Sequence, residues 1–426
     1  MYTRVHQTKI KVITAVFFVE DKSLPVMDVH DQELLLAVLP IIVFEFLWDD
    51  DDDDDEAEED ILVPLLLAIL GLREKRDSVP RIANYTELTV TLFNDKDFHE
   101  LFRMRRGPFE LLTEICANCN GVLPLTHIAG GRVPTTPTKH LLITLWILGN
   151  QCCIRDVADR FGVSKWTVWT VIRRVCTILV NYLAPKFIKW PTGARVKTVS
   201  EGFEAIAKLP GVIGSIDGSH MEVKPPSDDM DSYGNRLSYY SMVVQAVCDS
   251  EMVFTNCFAG YPGSVHDARV LRSSELGLEA GAHQPLLFAS ETYIIGDSAY
   301  PLETWLMVPF KQQGGHAFTW QQGVYNHAHA DTRKVIERAF RLLKCRWRKL
   351  QMIDLDCAEY YPQIIVAACV LHNFCRLHDI DDVAFLQAPC ENAGAANNPA
   401  PLDAPVFAAE QASQQRRQQL VTYLSS

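Results

Sequence analysis

The chain has 426 residues, of which 48% are hydrophobic and 22% charged. That is the balance of a globular protein long enough for more than one domain, and it speaks against a chain built on membrane spans. Formal net charge is −13, which on its face argues against nucleic acid, but 11 of the 53 acidic residues fall in the twelve positions Asp49–Asp60. Without that block 40 basic residues face 42 acidic ones, so the remainder is near neutral.

Twelve cysteines are scattered without a disulfide framework. The apolar run Val12–Val19 lacks an A-x-A-like cleavage site, so the expectation is reduced thiols inside a cell. Cys116 and Cys119 form the one CxxC. With no second CxxC or H-x-x-x-H at zinc spacing, they read as two half-buried thiols.

Residues 1–81 form a variable N-terminal segment. Seven consecutive aspartates from Asp49 repel one another and stay solvated, as in a spacer. The flanking apolar runs, Leu34–Trp48 and Ile61–Leu72, are short for a membrane span.

Residues 97–200 read as a helical subdomain. Phe98, Leu101, Phe102, Phe109, Leu112 and Ile115 recur at helical spacing from Asp97. Thr138 is a plausible cap for a nearly all-apolar helix, Lys139–Asn150. Cys153–Leu179 reads as a helix-turn-helix. Ile154–Phe161 is the first helix, Gly162-Val163-Ser164 the turn, and Lys165–Leu179 the second helix. Its apolar face is Val168, Val171, Ile172, Val175 and Leu179. On the other face Lys165, Trp166, Thr167 and Arg173 are the expected DNA contacts, with Trp169 beside them. A plain helical hairpin is the competing interpretation. A basic link, Ala184–Lys197, and a short helix, Phe203–Leu209, follow.

Residues 201–379 switch to alternating strands and helices. Gly211–Val223 is an apolar strand around one acid, Asp217. A carboxylate there is costly unless a cation meets it, either a distant Arg or Lys or a metal ion. Tyr239–Asp249 and Met252–Ala259 are further strands, joined through Asp249-Ser250-Glu251. Asp267 opens a helix, where the macrodipole alone would favour it. Asp297 sits where the strand Thr292–Ile295 runs out, the end at which α/β sheets place ligands. Thr332–Leu350 is an amphipathic helix with Ile336, Phe340, Leu343, Trp347 and Leu350 inward. Across Asp331–Leu350 eight basic residues face two acidic ones, a net of +6. Glu337 lies in this stripe, and Arg333, Arg341, Lys344 and Arg348 are expected to meet nucleic acid. Taken alone, Glu337 with Arg333 and Arg341 would be surface ion pairs worth little.

Asp217, Asp297 and Glu337 together suggest more. Hard oxygen ligands suit Mg²⁺ or Mn²⁺, and two such ions roughly 3.5–4 Å apart suit phosphodiester cleavage. His220 and His266 lie beside these acids, and hydrogen-bonding roles are the simpler expectation for both. His372-Asn373 on the apolar helix Ile364–Leu377 is expected to pack and cap. Asn326, His327 and His329 suggest a DNA-facing loop. Residues 380–426 read as a flexible tail with a weak helix near Gln411–Leu424.

Five segments in order carry a family resemblance: Gly214–His220, Pro262–Leu271, Gly296–Pro301, Val335–Phe340 and Val370–Phe374. They resemble the DDE nuclease domain of the PIF/Harbinger transposases, over about Phe98–Asp379. The resemblance implies an α/β fold with an RNase H-like mixed sheet flanked by helices, preceded by an all-α helix-turn-helix subdomain. It implies a catalytic triad of Asp217, Asp297 and Glu337, with Asp267 as a further ligand of a divalent metal, Mg²⁺ or Mn²⁺. It further implies a nuclear, DNA-binding endonuclease that works with a Myb-like partner protein. A catalytically inactive domesticated transposase, acting as a DNA- or chromatin-binding regulator, is the alternative. A hydrolase of small phosphate substrates is a third possibility, against which the basic helix argues.

Overall fold

The structure is a computed structural model that describes residues 81–119, 135–227, 229–289, 291–312, 317–355, 357–379 and 411–426. All of them belong to one compact unit, Arg81–Pro124 with Thr135–Ser426. The acidic run, the apolar stretches beside it and residues 380–410 of the expected tail lie outside the described residues.

The helical part opens with short turns at Tyr85–Thr89 and Val90–Leu92. The pattern expected to start at Asp97 is two helices, α1 (Asp95–Phe102) and α2 (Arg106–Ala117). Arg103 breaks them by taking a left-handed φ of 60°, and Asn94 caps α1 by accepting from the Asp97 N–H at 2.8 Å. Helix α3 (Pro137–Gly149) starts before Lys139 because Thr136 is its cap and Pro137 takes the first position. It is buried continuously from His140 to Gly149, as an all-apolar helix must be.

Helices α4 (Ile154–Phe161) and α5 (Lys165–Ile178) match the expected pair. Gly162 turns the chain at a φ of 66°, and the Ser164 hydroxyl accepts from the Thr167 N–H at 3.0 Å. Beyond α5 the expected link is largely helical, through Leu179–Leu183, Ala184–Phe187 and α6 (Ala194–Ala207).

The five-stranded sheet has the order β3-β2-β1-β4-β5. Strands β1 (Val212–Glu222), β2 (Ser241–Cys248) and β3 (Phe254–Pro262) form an antiparallel meander. Strands β4 (Tyr293–Ile295) and β5 (Leu306–Met307) continue it in parallel with β1. Every residue of β2 is buried, as befits an inner strand covered on both faces. Helices α7 (Asp267–Ser273), α8 (Glu275–Leu287), α9 (Trp320–Arg346) and α10 (Tyr361–His378) flank the sheet. This mixed α/β arrangement is consistent with the RNase H-like fold that the resemblance implies.

Two elements depart from expectation. Helix α9 begins twelve residues before Thr332, with a capping box at Thr319 and Gln322. Asn326, His327 and His329 therefore lie on a helix, not a loop. Asn326 binds the Phe310 backbone in both directions, and buried His329 contacts the Met307 carbonyl oxygen. Residues 411–426 form the helix expected near Gln411–Leu424, α11 (Gln411–Ser425), but it is seated on the fold and not part of a flexible tail. Its Leu420 and Val421 are buried, and Arg416 donates to the Thr304 and Thr292 carbonyls beside β5 and β4. Among the described residues no helix is long and apolar enough to cross a membrane.

Candidate active site

Sheet register brings the first two acids together. Ser215 on β1 pairs in parallel with Ile295 on β4. Asp217 and Asp297 each lie two residues further on, so the period of two sets them at one end of the sheet with the same facing. Asp267 comes from the start of α7 and closes against the strand at Gly218. A Cβ at that glycine would stand 2.3 Å from Asp267 Oδ1. A small residue after Asp217 is thus what lets the third carboxylate approach.

Burial raises all three carboxyls above the ordinary carboxylate range. Asp217 is pushed well above it by burial, opposed by Arg333, with Asp297 and Asp267 raising it further. Asp267 rises to about 7, first through burial and then through Asp297, with Arg236 opposing. Asp297 is raised by burial, partly offset by the Ala299 N–H on its Oδ1 at 2.8 Å. Beneath them lies buried Tyr300, whose hydroxyl donates to Gln245 Oε1 at 3.5 Å. Its phenol is held well above its usual range by burial and by the three aspartates.

The cation that meets Asp217 is Arg333 of α9, 116 residues away in sequence. Its Nη1 lies 3.2 Å from Asp217 Oδ2, and its Nη2 lies 2.5 Å from Glu337 Oε1. One guanidinium thus joins the middle of β1 to the fourth acid, one helical turn along its own helix. Of the two partners left open for Asp217, a distant arginine is the one seen.

Among the described residues no three His, Cys, Asp or Glu side chains are gathered into a metal-holding group. The donor chemistry still suits a hard divalent cation, with three carboxyls in mutual repulsion from the middle of β1, the loop just past β4 and the start of α7. Glu337 stands apart from them on the far arm of Arg333.

The expected nucleic-acid residues divide. Lys165 and Trp166 are exposed at the start of α5, with Trp166 71% accessible. Thr167 is spent on the cap, its hydroxyl 2.7 Å from the Ser164 hydroxyl. Arg173 lies over the Tyr360 ring at 4.1 Å, next to Trp169, so it packs on the protein itself. Arg341 and Arg348 are exposed. Lys344 is not: it is buried and donates to the His220 carbonyl at 2.8 Å, because α9 crosses β1 there. Burial lowers its ammonium to about 8. That removes Lys344 from the face expected to meet DNA.

His220 Nδ1 lies 2.9 Å from the Ser241 hydroxyl, and burial lowers its ring to about 4. His266 caps α7 and carries exposed Arg236 on its ring, 2.8 Å from Nδ1. Arg236 and Lys311, which lower Asp267 and Asp297 respectively, were not evident from the sequence. Each lies in a polar loop with no apolar periodicity to mark it.

Comparison with known proteins identifies the family. The family model described as "DDE superfamily endonuclease" matches residues 216–373, a span that holds all four acids. "Putative nuclease HARBI1" of Bos taurus is 34% identical over 253 residues, covering 58% of this chain and 69% of that protein. Its namesake in Homo sapiens is 33% identical over the same shares. "Protein ALP1-like" of Arabidopsis thaliana is 27% identical over 303 residues, 67% of this chain and 72% of that protein. No solved structure matches. The chain belongs to the Harbinger-derived family of DDE superfamily endonucleases.

Proposed function

We propose that the chain is a divalent-metal-dependent DNA endonuclease that hydrolyses phosphodiester bonds. The observation that carries this is the placement of Asp217 on β1 beside Asp297 just past β4 and Asp267 at the start of α7, where burial and mutual repulsion raise the carboxyls. Asp217, Asp297 and Glu337 serve as the catalytic acids, and with Asp267 they would hold Mg²⁺ or Mn²⁺. Such an ion, when bound, supplies positive charge for the developing oxyanion and a more acidic water. Around it the chain supplies position. Asp297 is fixed by the Ala299 N–H, Gly218 admits Asp267, and Tyr300 closes the floor against water. Exposed Arg341 and Arg348 take the phosphate backbone as it leaves the site. Lys165 and Trp166, at the N-terminus of the second helix of a helix-turn-helix, approach the major groove. The protein acts where its DNA lies, in the nucleus.

The test is incubation of the full chain with supercoiled plasmid and Mg²⁺ or Mn²⁺. Nicked or linear product that requires the cation supports the proposal. Binding without cutting, with either metal, would instead favour a DNA-binding regulator that keeps the fold.

A further inference from the structure

The position of Arg333 bears on how a cation enters this site. Its two terminal nitrogens are divided between Asp217 and Glu337, at 3.2 and 2.5 Å. A guanidinium fork holds two carboxylates on separate nitrogens. A small divalent ion draws its oxygens to one centre at about 2.0–2.1 Å. The two arrangements compete: while the fork spans the pair, Asp217 Oδ2 and Glu337 Oε1 are held on separate nitrogens and are not free for one ion.

We infer that Arg333 is an internal counter-cation that occupies the Asp217–Glu337 pair until a divalent metal displaces it. Arg333 is a positioning residue in this scheme: it shares one positive charge between two acids of the site and holds them on separate nitrogens. Three features favour exchange over a permanent bridge. The Arg333 side chain is 22% exposed, so the guanidinium borders solvent and has somewhere to go. Its partners retain 17% and 28% exposure, so the pair is reachable. Asp217 also carries the repulsion of Asp267 and Asp297, which one positive charge does not balance and two charges balance better. The freed guanidinium suits bidentate contact with a phosphate oxygen pair. Metal binding and DNA binding therefore support one another through Arg333, with equal and reciprocal coupling.

This inference rests on the metal-site proposal above, and titration separates the two. Mn²⁺ is titrated calorimetrically into the full-length wild type, Arg333→Gln and Arg333→Lys. A competing cation that shifts a neighbouring carboxyl by one unit or more implies about tenfold tighter Mn²⁺ binding in Arg333→Gln. Arg333→Lys keeps one charge but loses the fork, so it should bind more tightly than wild type and less tightly than Arg333→Gln. It also keeps the result readable if the uncharged variant folds poorly. In wild type, a duplex oligonucleotide should tighten Mn²⁺ binding, and both substitutions should reduce that coupling. Equal or weaker Mn²⁺ binding in both variants, with wild type binding the ion, overturns the inference and leaves the metal site standing. Failure of all three proteins to bind Mn²⁺ overturns the metal site and the inference with it.

Discussion

Gly218 and Asp267 meet so closely that a Cβ on the glycine would stand 2.3 Å from the aspartate oxygen. The chain turns at β1 and α7 are unrelated in sequence, yet each limits what the other can be. Gly218→Ala should drive the Asp267 carboxylate aside without opening the core, since the nearest atoms an added Cβ would meet all belong to that side chain. A shift near 1 Å in a catalytic group can cost on the order of 100-fold in rate. The expected result is a DNA-cleavage rate lowered by about that factor, with thermal stability changed by no more than about 1–2 kcal/mol. Cleavage at wild-type rate would show that Asp267 takes no part.

Asp267 also sets a pH dependence. Its folded carboxyl is raised to about 7 from 3.8, so the folded protein holds a proton that the unfolded chain releases. Stability from this group is therefore fully present below about pH 4 and lost as pH rises toward 7, by a few kcal/mol at most. Buried His140 and His329 and half-buried His220, all lowered to about 4, act in the opposite sense below pH 6.5. The difference between wild type and Asp267→Asn isolates the aspartate. In EDTA that difference should move against wild type as pH rises from 4 to 7. A saturating divalent cation should flatten it. Denaturant melts at fixed pH steps measure both.

Asn373 ties the sheet edge to the helices. Its Nδ2 donates to the Phe254 carbonyl at 2.7 Å and the Phe187 carbonyl at 2.9 Å, and its Oδ1 accepts from the Phe254 N–H at 2.8 Å. Asn373→Ala strands two buried backbone groups and a half-buried one, so a loss of about 3 kcal/mol or more is expected in chemical denaturation. A change under about 1 kcal/mol would mean that water or local movement replaces those bonds. His372 beside it contacts the Met252 carbonyl oxygen at 2.9 Å, and the packing role expected for this pair is what the contacts show.

Lys165 and Trp166 are exposed and spend nothing on the fold that their accessibility reveals. Lys165→Ala and Trp166→Ala should leave stability within about 0.5 kcal/mol of wild type. Lys165→Ala should weaken DNA binding across sequences and reduce the salt slope by about one phosphate contact. Unchanged affinity in both variants would take α5 off the DNA face.

The sequence made some of this plain and hid the rest for physical reasons. Asp217 stood out because an apolar strand surrounds it, and Asp297 because it ends another; the parallel register then makes them neighbours. The Arg333–Asp217 contact was not visible, since only the fold closes a gap of 116 residues. At four residues from Glu337, Arg333 equally fits a surface pair. Lys344 shares its helical face with Arg341 by spacing, and only the crossing of α9 over β1 separates an exposed arginine from a buried lysine. Strand β4 matches the strand read at Thr292–Ile295, whereas β5 has only two residues, too few for a period of two to register. Helix α11 is anchored by Leu420 and Val421 in a stretch of glutamines and arginines, so its apolar stripe is faint until its seat is seen.

The decisive comparison is plasmid cleavage by wild type, Asp217→Asn and Asp297→Asn in parallel, each with EDTA, Mg²⁺ or Mn²⁺ and each first shown to be folded. Wild type should nick or linearise supercoiled DNA only with a divalent cation, and each substitution should lower the rate by a factor of 100 or more. Cutting that persists in either variant, or in EDTA, would contradict a site built on these two carboxylates.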